Sequence, residues 1–279
     1  MRLNELVLGL RRWRATHGAP PRMLVIEMHE TPARDEAKFR AQLEWVAQRY
    51  TPVDLLTFAR LWHEARNGAA PMQKPPVLFT FDDGRVSNYT VAAPLLESFG
   101  ARGAFFVIPQ WILCSPQEAR EFYYSRIDFQ PPPPHHTEED WSPMTPAQIA
   151  DLVRRGHCVG NHTFSHVRLA GLGEAELHHE IVESNALLAK WTGKPVDAFA
   201  WTFSWDSISR QAWQLIRQHH RFCFAPCPGM VDCRADSFDL IWRNEIEVRY
   251  PPAEFSFMYS GLVDPLWRKQ RRQLKALLR

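Results

Sequence analysis

Several features that would place this chain in a specialised class are scarce. Its five cysteines, Cys114, Cys158, Cys223, Cys227 and Cys233, are an odd number in a chain of 279 residues. That length does not depend on a disulfide framework, so reduced thiols in a cytosol are expected. The 33 basic and 31 acidic residues nearly cancel, which leaves no whole-molecule field to attract a polyanion and argues against nucleic acid as a partner. No stretch approaches the roughly 20 apolar residues needed to span a bilayer. The opening residues 1–18 carry only a short apolar run, broken by Asn4 and Glu5 and followed by Arg11, Arg12 and Arg14 instead of a small-residue cleavage site. A secretory signal is therefore not expected, and a cytoplasmic protein is. No internal repeat of fixed period is present.

What is abundant is apolar sequence, 45% of residues, enough for one enzyme-sized domain over 1–279. Short apolar runs alternate with amphipathic ones, the rhythm of βα units around a parallel sheet or barrel. Strands are predicted at 23–28, 77–81, 103–108, 157–160, 196–201, 221–225 and 240–248, and helices at 34–50, 56–66, 86–99, 145–155, 174–191 and 207–220. Residues 109–143 lack clear periodicity and contain the run Pro131 to Pro134. Because the rhythm resumes after them, they are expected to form an insertion bordering an active site. Terminal helices are expected at about 1–16 and 264–279.

The densest polar signal lies at the end of the strand 77–81, in Thr80-Phe81-Asp82-Asp83-Gly84. Successive strand side chains alternate faces, but a glycine turn relaxes that rule, so both acids can reach one pocket. A bound cation would stabilise one carboxylate and keep the other ionised as a base; an ordinary Asp-Asp-Gly turn would need none. A second string, Gly160-Asn161-His162-Thr163-Phe164-Ser165-His166, holds two histidines four apart. If the intervening residues begin a helix, both imidazoles face one point, although one such pair among 12 histidines arises by chance readily. Together, one Asp and two His make a three-ligand set with an open position for water and substrate.

The ordered strings TFDDG, GNHTFSH after MTPAQIADLVRRGH, and TGKPVDAFAW resemble the polysaccharide deacetylases with a NodB-homology domain, over roughly residues 22–250. The resemblance implies an α/β fold, a distorted (β/α) barrel of about seven strands. It implies removal of N- or O-acetyl groups from sugars with one divalent metal, zinc in the first instance and Co, Mn or Ni otherwise. It assigns Asp82 as general base and Asp83, His162 and His166 as metal ligands. The chain departs from the family pattern in having no histidine after His220. A circularly permuted subgroup carries the proton-donating histidine on an early strand, and Met23-Leu24-Val25-Ile26-Glu27-Met28-His29 resembles that strand, which makes His29 the expected general acid. The third motif stands here as Trp201-Thr202-Phe203-Ser204, with its usual proline and glycine replaced. Trp201 and Phe203 are expected near substrate and oxyanion. Arg243 or Arg249 is expected to stand in for the family arginine that orients the base, and Arg243 joins the substrate-binding set.

The expected substrate is an acetylated sugar or glycan. Two alternatives remain at this level: deformylation of an amino sugar, and a carbohydrate-binding protein that has lost turnover on the same scaffold. Cys223, Cys227 and Cys233 lack a fourth ligand of standard spacing, and the pairs His135-His136 and His178-His179 read as solvated. The tail sets Leu266, Trp267, Leu274, Leu277 and Leu278 among basic residues. It reads either as a helix packed on the barrel or as a peripheral contact with the inner face of a membrane.

Overall fold

The strands β1 (Arg22–Met28) and β2 (Pro76–Phe81) are apolar at nearly every position and buried on both faces, the pattern of strands inside a covered parallel sheet. The computed structural model describes residues 22–70, 72–259 and 264–279; the expected helix at about 1–16 lies outside them. Four more strands follow: β3 (Ala104–Val107), β4 (Cys158–Asn161), β5 (Ala198–Ala200) and β6 (Phe222–Ala225). The predicted strand 240–248 is two short pieces, β7 (Ile241–Trp242) and β8 (Asn244–Glu245). The parallel order is β8-β1-β2-β3-β4-β5-β6-β7.

β7 pairs with β6 through Phe224–Ile241 and Ala225–Trp242, whereas β8 pairs with β1 through Ile26–Asn244 and Glu27–Glu245. One segment therefore joins both edges of the sheet and nearly closes it into a barrel, with a break at Arg243. Counted as one interrupted strand, this segment brings the eight strands of the parallel path to the seven expected; two two-residue strands lie off that path, Thr51–Pro52 beside β2 and Val231–Asp232 antiparallel to β1.

The period-two pattern divides the strand residues between two layers. Met23, Val25, Leu78, Ala104, Phe106, Ala198, Ala200, Phe222, Phe224 and Ile241 form one cluster inside the barrel. Their neighbours Leu24, Ile26, Phe79, Phe81, Phe105 and Val107 pack outward on helix residues such as Phe39, Leu43, Leu96, Ile149 and Leu188. Gly160 belongs to the inner row, where a Cβ would sit 2.4 Å from the Phe106 ring; only glycine lets that ring fill the barrel.

The aperiodic segment 109–143 is partly helical, with Pro109–Ile112, Pro116–Phe122 running on into the π-helical turn Tyr123–Ile127, and Glu138–Trp141. Two of these pieces are only four residues long, and the change from α to π winding at Tyr123 disturbs the 3.6-residue period in the remaining one. They gather Ile108, Trp111, Ala119, Phe122 and Tyr123 into a small core of their own. The C-terminal helix Arg268–Leu277 buries Leu274 completely and ties Lys275 to Asp236 at 2.9 Å. Leu274 and Leu278 thus pack on the barrel, while Leu266 and Leu277 stay exposed. No helix among the described residues is long and apolar enough to cross a membrane.

Candidate metal and catalytic centre

The inward rows that begin apolar end polar. Val25 leads to Glu27 and His29, Leu78 to Thr80 and Asp82, Gly160 to His162, and Ile241 to Arg243 and Glu245. Strand alternation alone thus collects charged groups at the C-terminal mouth of the barrel. Asp83 joins them by a different route. Its φ of 73° lies in the left-handed region that non-glycine residues avoid, and it returns the carboxylate to the same mouth.

Asp83 is buried, and its two oxygens have different surroundings. Oδ2 accepts from Arg85 Nη2 at 3.2 Å and Nε at 3.3 Å. Oδ1 has no hydrogen-bond partner and lies 3.7 Å from Nε2 of both His162 and His166. Both imidazoles donate from Nδ1 to backbone carbonyls, His162 to Ala200 at 2.7 Å and His166 to Arg126 at 2.6 Å. A carbonyl only accepts, so Nδ1 carries a proton in each ring and Nε2 is the atom turned towards Asp83. An orphaned carboxylate oxygen facing two imidazole Nε2 atoms fits a divalent metal of the zinc type. Burial pushes the His166 pKa down to about 4, which keeps that ring neutral as a ligand must be.

The histidines converge without the helical turn that was one way to bring them together. Residues 162–169 form a loop with Thr163 at φ 63° and His166 at φ 56°. The loop is held by Glu180, whose carboxylate accepts from the Ser165 amide at 2.9 Å and hydroxyl at 2.6 Å. Glu180 occupies a wide, π-type turn, His179–Glu183, inside the predicted helix 174–191; such turns often mark functional sites.

Residues 69–220, more than half of the chain, match the sequence pattern of the polysaccharide deacetylases. The chain belongs to that family. A Bacillus cereus peptidoglycan-N-acetylglucosamine deacetylase is 23% identical over 127 residues, 45% of this chain and 46% of the relative. Bacillus subtilis YxkH, provisionally named a polysaccharide deacetylase, is 27% identical over 111 residues, 40% of this chain and 30% of the relative. The chain therefore matches less than half the length of these curated relatives. In fold, it superposes on the Streptococcus pyogenes deacetylase PplD with a TM-score of 0.61 at 17% identity, covering 87% of this chain and 99% of the other. This likeness establishes the NodB-type distorted (β/α) barrel.

Within this family fold, Asp82 stands beside the three-residue cluster and is gripped by Arg243, Nη1 to Oδ1 at 2.6 Å and Nη2 to Oδ2 at 2.8 Å. Burial opposes its ionisation, but the facing guanidinium outweighs burial and holds the carboxyl well below the usual range. Arg243 is itself fully buried and also meets Glu27 at 2.9 Å. It therefore sits behind the carboxylate and is closed to a substrate. Glu27 is pushed up by burial to about 8, against the pull of Arg243. At neutral pH it therefore holds its proton more readily than Asp82 does.

His29 directly follows β1, with Nδ1 3.6 Å from Glu247 Oε1 and 3.9 Å from Glu245 Oε1. Burial opposes its protonation, but the Glu247 carboxylate and the charges of Asp83 and Asp82 outweigh it, raising its pKa to about 10. Of the third-motif residues, Trp201 is fully buried against Trp213 and cannot touch a substrate in this conformation. Phe203 is 37% exposed, and its ring centroid lies 4.7 Å from that of His166. Its φ of 65° costs on the order of 1–3 kcal/mol.

Sequence reasoning missed Glu27, Arg85, Glu180 and Glu247. Glu27 was within reach, since it precedes His29 by two positions on the inner row. Arg85 also receives Tyr123 from the insertion, donating Nη1 to its hydroxyl at 2.8 Å, a contact no local pattern encodes. None of the metal-capable groupings among the described residues includes a cysteine. His178 and His179 pair with the exposed Glu183, and His136 with Tyr124.

Proposed function

We propose that the protein is a metal-dependent hydrolase that removes an N-acetyl group from a sugar within a glycan or glycan intermediate, and that 1–279 acts as one catalytic domain. Asp83, His162 and His166 hold the ion in this reading, Asp82 is the general base and His29 the general acid. The observation that carries it is the unpartnered Asp83 Oδ1 facing both histidine Nε2 atoms at 3.7 Å. The names of the curated relatives point to the same chemistry.

A divalent metal of the zinc type, when bound, supplies Lewis-acid polarisation of the amide carbonyl. The remaining steps belong to the chain. Asp82, kept ionised and fixed in its plane by the Arg243 fork, takes a proton from the attacking water. His29, protonated through the neighbouring carboxylates, gives its proton to the departing amine nitrogen. Arg85 occupies the second Asp83 oxygen, so Asp83 offers one donor atom. Phe203 stands at the open side, where the sugar enters.

Elemental analysis and acetate release from acetylated amino sugars, on the wild type and on His162→Ala, test the reading together. About one metal per chain, lost with acetate release in the variant, is the expected result. A wild type that binds no metal overturns it.

A further inference from the structure

The insertion 109–143 is hydrogen-bonded to both loops that carry the metal-capable residues. Just past Asp83, the Val86 amide donates to the Ser142 carbonyl at 2.9 Å, and Met144, directly after the insertion, donates its amide to the Gly84 carbonyl at 2.8 Å. Between the two histidines, the Phe164 carbonyl accepts from the Gln110 amide at 2.9 Å. The turn Tyr123–Ile127 reaches further, to two of the three side chains themselves. It winds in the wide π form, and the last carbonyls of any helix are left without partners inside it. One of these carbonyls, that of Arg126, accepts the Nδ1 proton of His166 at 2.6 Å. Tyr123, also buried, acts on Asp83 through Arg85. Its hydroxyl accepts from Arg85 Nη1 at 2.8 Å, and its ring centroid lies 4.9 Å from the guanidinium carbon. The other nitrogens of that guanidinium hold Asp83 Oδ2.

We propose that Arg85 and the turn Tyr123–Ile127 are positioning residues of the metal centre, and that seating of the insertion and occupancy of the centre reinforce each other. The Arg126 carbonyl aims one imidazole, and the Tyr123-Arg85 pair covers one carboxylate oxygen so that the other faces the histidines. Partners behind a ligand fix its orientation and its donor strength. Coupling of this kind is reciprocal: the factor that the seated turn adds to metal affinity is the factor that the metal adds to seating. The inference deepens the hydrolase reading and rests on it for the presence of the ion.

The test measures zinc affinity of the metal-stripped full chain by chelator competition, and hydrogen exchange of amides 116–128 with and without saturating zinc. Tyr123→Phe keeps the ring and removes only the hydroxyl; its zinc affinity should fall about tenfold, and that of Arg85→Met up to about a hundredfold, the range for partners behind metal ligands. In the wild type, zinc should slow exchange in the turn by about tenfold, and less in Tyr123→Phe. Loaded with cobalt, Arg85→Met should absorb more weakly in the visible than the wild type, because Asp83 Oδ2, released from Arg85, becomes a second donor atom and a higher coordination number weakens those bands. Variants that keep wild-type zinc affinity, whatever their stability in urea, would make the turn a structural brace and overturn the inference, as would exchange that zinc leaves unchanged. A wild type that binds no zinc overturns it together with the hydrolase reading. Zinc coupling without acetate release from any acetylated sugar removes the hydrolase reading alone.

Discussion

The two ends of the barrel interior are built by the same strands under the same period of two, yet they do opposite work. At the lower end, Met23, Val25, Leu78, Phe106, Ala198 and Phe224 pack without a polar atom, and burial there contributes stability at about 25 cal/mol per Å² of apolar surface. At the upper end, Glu27, Asp82, Asp83, His162 and Arg243 are also buried. Each of these gives up solvation that its partners only partly replace. One set of strands thus stabilises the fold below and holds poorly solvated charge above. The strained φ values of Asp83, Thr163, His166 and Phe203 all lie at the polar end, as expected where function and not packing fixes the backbone.

Removing a side chain from each end separates the two roles. Phe106 is fully buried, its ring 5.1 Å from that of Phe224. Phe106→Ala should lower unfolding free energy by about 3–5 kcal/mol, read by urea denaturation. Whatever folds should retain the metal binding proposed for the mouth. Asp82→Asn should lower acetate release by about a hundredfold or more, the contribution of a general base, and, because it leaves the buried Arg243 short of its carboxylate partner, should also cost about 3–5 kcal/mol of stability. If Phe106→Ala spared stability, or Asp82→Asn spared turnover, the division between the ends would fail.

A smaller effect tests the charge at the upper end. Glu27 and His29 both have raised pKa values, to about 8 and about 10. In the metal-free protein each therefore binds protons more tightly folded than unfolded. Stability should decline as pH rises above about 6.5, through Glu27 up to about 8 and through His29 up to about 10; below about 6.5 the depressed pKa values of His166 and His220 act in the opposite sense. Chemical denaturation across that span should show the decline, and His29→Gln should flatten its upper part. A flat profile in the wild type would mean that the mouth is better solvated than its geometry indicates.

Much of this was legible along the chain. Asp82, Asp83, His162 and His166 stood out because chemistry-bearing residues at strand ends interrupt an apolar pattern, and six of the seven predicted strands form at or within a residue or two of their expected positions. The seventh broke at Arg243, because a two-residue pairing on each side satisfies both barrel edges while the residue between turns inward to two carboxylates. The histidines converge from a loop and not from the helical turn that their spacing would also allow. Their backbone is bound to Glu180, 14 residues beyond His166, and long-range hydrogen bonds outweighed local spacing. Trp201 and Phe203, two positions apart, parted company: one packs on Trp213 and the other lies at the open mouth.

By itself the sequence determined the barrel, through alternating apolar periodicity, and the donor set, because only certain side chains can ligate a metal or move a proton. Tertiary structure alone decided which oxygen of Asp83 is left unpartnered and that Arg243 serves Asp82 from behind. Those outcomes depend on contacts between residues as much as 161 positions apart. Such contacts are fixed by closure of the barrel and leave no local pattern in the chain.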